Sequence, residues 1–189
     1  LRALPEATLD VVELDPDVTR IAEEHFALAH DPRLKIHHED ARVFLNRDAA
    51  TYDAVFLDVF WGRAIPFQLA TLECFQRIAA RLSADGVLLV NLVSAIEGPR
   101  GEFFRAEYAT LRRVFPQVLV FPVLHPDDGA RPQNVMLVAL RAATPAALDS
   151  PEAGKYVSHL WRGNVAEDMA PLTDDFAPVD QYAARNREP

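Results

Sequence analysis

The sequence predicts an α/β domain of the doubly wound type, with a mostly parallel sheet that ends in an antiparallel hairpin. Three observations predict it. Strand-sized apolar runs alternate with segments of helical spacing from Leu9 to Leu92. The first three runs each end at or just before an acid, namely Glu13, Asp40 and Asp58. Two last strand patterns, residues 118–123 and 134–140, are joined by residues 124–133, which carry Pro126, Gly129 and Pro132 and no helical pattern. A link without a helix brings the chain back antiparallel to its neighbour.

The first strand is expected over residues 9–14, where Leu9, Val11, Val12 and Leu14 suit a strand covered on both faces and Asp15-Pro16 stops it. Pro16 stands near the start of a crossover helix in which Val18, Ile21, Ala22 and Phe26 share a face. Residues 33–38 alternate as a second strand, and Glu39-Asp40-Ala41 leads into a short helix through about Asn46. The third strand, residues 52–58, is apolar in the middle and closed by Asp58. An amphipathic helix is expected over residues 67–82, from the stripe Leu69, Leu72, Phe75, Ile78, Ala79 and Leu82. Asp85-Gly86 then turns the chain into the continuously apolar strand 87–92, and a helix over 102–114 precedes the hairpin. The alternation implies right-handed crossovers. A sheet closed by such a hairpin is characteristic of the adenosylmethionine-dependent methyltransferase (Rossmann-like) type, rather than of a nicotinamide-binding one. Residues 1–142 are expected to form this domain and residues 143–189 a tail that packs on it through Tyr156, Leu160, Trp161 and the stretch 172–180.

Composition narrows the function. The chain has 189 residues, half of them hydrophobic, and a formal net charge of -9, which argues against unaided binding to a phosphate backbone or an anionic membrane. No apolar run approaches the roughly 18 residues of a membrane span, and no signal peptide is visible, so a cytoplasmic location is expected. The single cysteine, Cys74, excludes an intrachain disulfide and a cysteine-based metal cluster; its helical setting suggests a buried small hydrophobe. His37-His38 are adjacent on a strand and point to opposite faces, which offers no metal-ligand spacing.

In a parallel sheet the carboxyl ends of the strands share one edge, and ligands bind there. Glu13, Asp40 and Asp58 are therefore expected to converge. A nucleoside ligand would use Glu13 for the ribose hydroxyls and Asp40 for the adenine amino group, with Ala41 behind the ring. Asp58 would then lie nearest the reacting centre. The same residue types also begin turns and cap helices for local reasons.

These residues carry a resemblance to the spermidine synthase family of polyamine aminopropyltransferases. Val11-Val12-Glu13-Leu14-Asp15-Pro16 resembles the family's ribose-binding strand, Glu39-Asp40-Ala41 its adenine-binding turn, and residues 52–58 the strand leading to its catalytic aspartate. Residues 65–75 and 82–87 are similar to the following helix and strand, and Leu172 to Val179 to a tail of spermidine synthase-like proteins. The resemblance implies decarboxylated S-adenosylmethionine as donor substrate, an amine such as putrescine as acceptor, and no metal. In that chemistry Asp58 orients the amine and accepts its proton. The family's Gly-rich loop and small β domain have no counterpart before Leu9, so a domain shortened at its front, lacking the first strand, is expected. Trp61 stands where the family carries a second aspartate, and the Val59-Phe60-Trp61 loop either walls a different acceptor pocket or packs on the domain.

Three other readings share parts of the pattern. An S-adenosylmethionine-dependent methyltransferase has the same fold and ribose acid, a noncatalytic nucleoside-binding domain would suit the altered front and loop, and a nicotinamide-dependent dehydrogenase fits the ribose acid but not the hairpin. The expected partner is a small-molecule amine, neither a nucleic acid nor, for this chain, a membrane, with homodimer formation left open.

Overall fold

The computed structural model describes residues 4–47, 49–59, 65–144 and 148–185. The chain divides into two compact units, Leu1–Asp48 and Ala49–Pro189.

In the first unit, strands β1 (Leu9–Glu13) and β2 (Leu34–His38) pair in parallel, with Leu9 opposite Leu34 and Glu13 opposite His38. Helix α1 (Pro16–His25) makes the crossover. Its start is written in the sequence: Asp15 accepts the Asp17 N–H as N-cap, and Pro16 occupies a first-turn position where its missing N–H costs nothing. Helix α2 (Ala41–Arg47) follows β2, and among the described residues of this unit Phe44 alone is buried. The strand expected to be covered on both faces is instead only half-buried, with Leu9 42% exposed. Among the described residues β1 has β2 as its only strand neighbour.

The second unit holds a four-stranded sheet in the order β3-β4-β6-β5, from β3 (Tyr52–Leu57), β4 (Leu82–Ser94), β5 (Gln117–Pro122) and β6 (Gln133–Leu140). β3 and β4 run parallel, and β6 is antiparallel to both its neighbours, which is the hairpin read from the sequence. One sheet face, carrying Leu88, Val90 and Leu92 with Val135, Leu137 and Ala139, is fully buried. Helices α3 (Leu72–Arg81) and α4 (Glu102–Arg112) pack on it with Phe75, Ile78, Phe103 and Phe104, each at most 1% exposed. Burial of a side chain of this size is worth about 1.5–3 kcal/mol, so this layer is the main store of stability.

Two elements of the second unit differ from the pattern by more than two residues. The helix expected over 67–82 is a 3-10 turn at Phe67–Leu69 followed by α3, because Thr71 caps α3 by accepting the Cys74 N–H. β4 is longer than expected: Leu82 pairs with Tyr52, the register then slips, and pairing resumes at Val87 opposite Ala54. Asp85-Gly86 lies in that slip, so the turn signal marks an irregularity inside a strand. Cys74 is buried, as expected of a small core hydrophobe.

The tail is bonded into this second unit. Leu172 accepts from the Leu72 N–H and donates its own N–H to Thr110, while Asp174 accepts from the Thr71 hydroxyl at 2.6 Å. Arg105, 6% exposed, holds Asp168 with Nε and Nη2 at 2.6 and 3.0 Å and donates Nη1 to the Ile96 and Gly98 carbonyls. Helices α5 (Pro151–Val157) and α6 (Val179–Arg185) complete the chain.

Candidate functional site

Glu13 closes β1 and is half-buried. Its Oε1 accepts the Asp15 N–H at 2.9 Å, which tightens the turn into α1. Asp40 caps α2: its Oδ1 accepts the Arg42 and Val43 N–H groups at 2.8 and 3.0 Å, satisfying two donors that a helix start leaves open. Ala41, half-buried, is the first residue of that helix. In this unit, then, two of the sequence-predicted acids have local backbone work.

A cavity of about 470 Å³ lies on the sheet face that carries Val11, Glu13 and Ile36, under Val18 and Ala22 of α1. Glu13 brings a carboxylate to otherwise mostly apolar walls. Asp31 also reaches this cavity, and its hydrogen bond with the Arg33 side chain lowers its carboxyl to about 2. His37 and His38 do point to opposite faces. His37 Nε2 pairs with Asp10 Oδ1 at 2.8 Å with its ring near Phe44, and His38 Nε2 pairs with Thr19 Oγ1 at 3.0 Å. Among the described residues no cluster of three or more His, Cys, Asp or Glu side chains is arranged to hold a metal ion.

Asp58 belongs to the second unit, just past the carboxyl end of β3, and is exposed. Its hydrogen-bond partner is not its own turn. Asn91 in the neighbouring strand β4 donates Nδ2 to Asp58 Oδ1 at 2.9 Å, and Asn134 at the start of β6 donates Nδ2 to Asn91 Oδ1 at 3.1 Å. The sheet register explains the row: Leu57 lies opposite Val90, which sets Asp58 beside Asn91, and Val93 lies opposite Asn134. Asn91 and Asn134 were missed in the sequence because residues 87–92 read as one apolar run. The signal was Asn91 itself, the one polar residue between Val87 and Val93. The chemistry available here is that of an oriented carboxylate at a strand end, able to accept hydrogen bonds from an amine and to take a proton. Val59 is half-buried; Phe60, Trp61 and Gly62, and with them the expected acceptor wall, lie outside the described residues.

No family model matches the chain. It is 35% identical over 139 residues to the polyamine aminopropyltransferase of Vibrio vulnificus, an alignment covering 72% of this chain and 44% of that protein. It is 32% identical over 126 residues to an eEF1A lysine and N-terminal methyltransferase homolog of Drosophila melanogaster, covering 61% of this chain and 18% of that one. The chain thus spans less than half the length of these curated relatives. Among solved structures, a probable spermidine synthase from Corynebacterium glutamicum superposes with a TM-score of 0.70 at 27% identity, over 87% of this chain and 58% of its own. Among the described residues no helix is long and apolar enough to cross a membrane. In sequence and in fold the chain is spermidine synthase-like, a relative of the polyamine aminopropyltransferases.

Proposed function

We propose that the chain carries nucleoside-binding strand ends and the amine-binding acid of an aminopropyltransferase-like enzyme. That enzyme moves an aminopropyl group from decarboxylated S-adenosylmethionine to an amine such as putrescine. The observation that carries the reading is Asp58, an exposed carboxylate at the end of a parallel strand held by a side chain of the next strand, in a chain 35% identical to a polyamine aminopropyltransferase. A primary amine is protonated near neutrality and is not nucleophilic in that form. Asp58 accepts the ammonium's hydrogen bond, aims its nitrogen and takes one proton from it, and the lone pair of the neutral amine then attacks the carbon next to the sulfonium. The new C–N bond forms as the C–S bond breaks, and the electron pair left on sulfur turns the sulfonium into neutral methylthioadenosine. Positioning supplies much of the rate, because donor and acceptor meet as an oriented pair.

The donor's ribose is assigned to Glu13 and its adenine amino group to Asp40, with Ala41 behind the ring. The described bonds of these two acids use Oε1 and Oδ1, and a carboxylate offers about four acceptor directions. Calorimetry on the chain with decarboxylated S-adenosylmethionine and with methylthioadenosine tests the assignment. Binding is expected to weaken about tenfold in Glu13→Ala, and Asp58→Asn to cost about 10²-fold or more in turnover with little change in donor affinity. Failure of the wild-type chain to bind either nucleoside refutes the reading.

A second reading, S-adenosylmethionine-dependent methyl transfer, is favoured by the 32% identity to the Drosophila melanogaster methyltransferase homolog. Preference for the carboxylated donor, with a methylated product in the mass spectrum, decides for it.

A further inference from the structure

The row Asn134, Asn91, Asp58 crosses three adjacent strands on one sheet face whose other members are largely apolar, including Val87 and Leu89 of β4 and Met136 and Val138 of β6. Asparagine is disfavoured inside strands, so two of them on neighbouring strands at the same end of a sheet call for a specific cause. The direction of the bonds supplies one. An ionised carboxylate only accepts, so Asn91 must present its NH2 to Asp58 and thereby turns its carbonyl oxygen the other way. Asn134 meets that oxygen with its own NH2 at 3.1 Å. If Asn91 alone flipped, its carbonyl would face the carboxylate and its NH2 would face the NH2 of Asn134, and both contacts would repel. The row is therefore oriented end to end, and each bond polarises the next.

We infer that Asn91 is a positioning residue for Asp58, with Asn134 bonded behind it. This rests on the reading of Asp58 as the acid that aims the amine. An exposed carboxylate at a strand end has rotamers to choose from, and one donor from a rigid central strand selects among them. Asn91 lies on β4, which pairs on both sides, so the aim of Asp58 is taken from an interior strand of the sheet. Asn91 touches no reacting atom in this scheme and acts through Asp58.

The test is a mutant cycle read in two ways. With decarboxylated S-adenosylmethionine and putrescine, Asn91→Ala is expected to lower kcat by up to about 10²-fold, the scale of a misplaced reacting group, with KM for the donor unchanged. Asn134→Ala should lower kcat by less. The double variant should be no worse than Asn91→Ala alone, because Asn134 acts through Asn91. Asn91→Ala added to Asp58→Asn should cost nothing further. A merely structural role would give additive losses and a matching fall in unfolding midpoint. An active wild type whose kcat is indifferent to Asn91→Ala overturns the inference, as do additive effects.

The second readout needs no activity. In side-chain amide NMR spectra the Asn91 NH2 signals should shift in Asp58→Ala, and the Asn134 NH2 signals should shift in Asn91→Ala. If the wild type transfers no group at all, the proposed function has failed. The relay then stands or falls on these shifts, and unmoved signals overturn it. Should Asn91→Ala not fold, Asn134→Ala and Asp58→Ala carry both readouts.

Discussion

Glu107 offers the sharpest test of how the second unit is held together. It lies on α4 with no exposed surface, and among the described residues neither carboxylate oxygen has a hydrogen-bond partner. Burial pushes its carboxyl well above the ordinary 4.5. The unfolded chain therefore releases this proton near pH 4.5 while the folded chain keeps it. Above that pH the folded state binds the extra proton, and stability falls as pH rises until the folded-state value is reached. The slope for one proton is about 1.4 kcal/mol per pH unit. The neutral acid also lacks its hydrogen bonds, a further cost of about 1–3 kcal/mol. Urea unfolding of wild type, Glu107→Gln and Glu107→Leu at several pH values from 4.5 upward isolates the group. Wild type should lose stability relative to Glu107→Gln with the one-proton slope. Glu107→Leu should be more stable than wild type by at least about 1–3 kcal/mol near neutrality. Asp31 does not interfere, since its carboxyl is lowered to about 2 and its stabilising contribution is lost only as pH falls toward that value. A pH-independent difference between wild type and Glu107→Gln would refute the reasoning, because an acid that ionises alike in both states gives no slope.

Three further changes probe the loop before α4 and the tail. Arg105→Met removes the side chain that holds Asp168, Ile96 and Gly98 together, and should cost about 2–4 kcal/mol in unfolding experiments. The Arg105 hydrogen bond holds the Asp168 carboxyl below its ordinary 3.8, so its stabilising contribution is present above that pH and is lost as pH falls through the folded-state value. The same variant should abolish that acid-limb loss. Gly101→Ala places a Cβ 2.6 Å from the Ile96 carbonyl oxygen and 2.7 Å from Arg105 Nη1, and should destabilise by about 1–3 kcal/mol. Gly154→Ala in α5, where the new Cβ meets nothing within 4 Å, should instead stabilise by about 0.5–1 kcal/mol.

Much of this architecture is legible in the sequence because it is local. Asp15-Pro16 announces α1, Ser150-Pro151 announces α5, and the helix-free link read over 124–133 returns β6 antiparallel. What the pattern cannot give is what depends on neighbours. The run Leu9 to Leu14 has the same composition whatever packs on its faces, so its half-exposure is invisible in the sequence. α3 starts later than the apolar stripe for a related reason. The apolar stripe continues through Phe67 and Leu69, but the Thr71 cap, tied to Asp174 in the tail, begins the α-helix later. Glu107 reads as a solvated helix position by residue type, and only the packing of α4 reveals it as buried.

The three acids expected at strand ends carry unequal weight once their partners are known. Glu13 and Asp40 accept backbone N–H groups two or three residues along the chain. Such bonds arise wherever a strand passes into a helix, so they account for an acid at these positions with or without a ligand. Asp58 differs in kind. Its donor is a side chain 33 residues away, on another strand, with a second asparagine fixed behind it. No turn or cap requires that row, and two asparagines in the strands of a sheet give up apolar packing to make it. A local role explains Glu13 and Asp40 sufficiently and explains Asp58 not at all. The case for chemistry at the carboxyl end of β3 therefore rests on Asp58, whose setting only the fold could assemble.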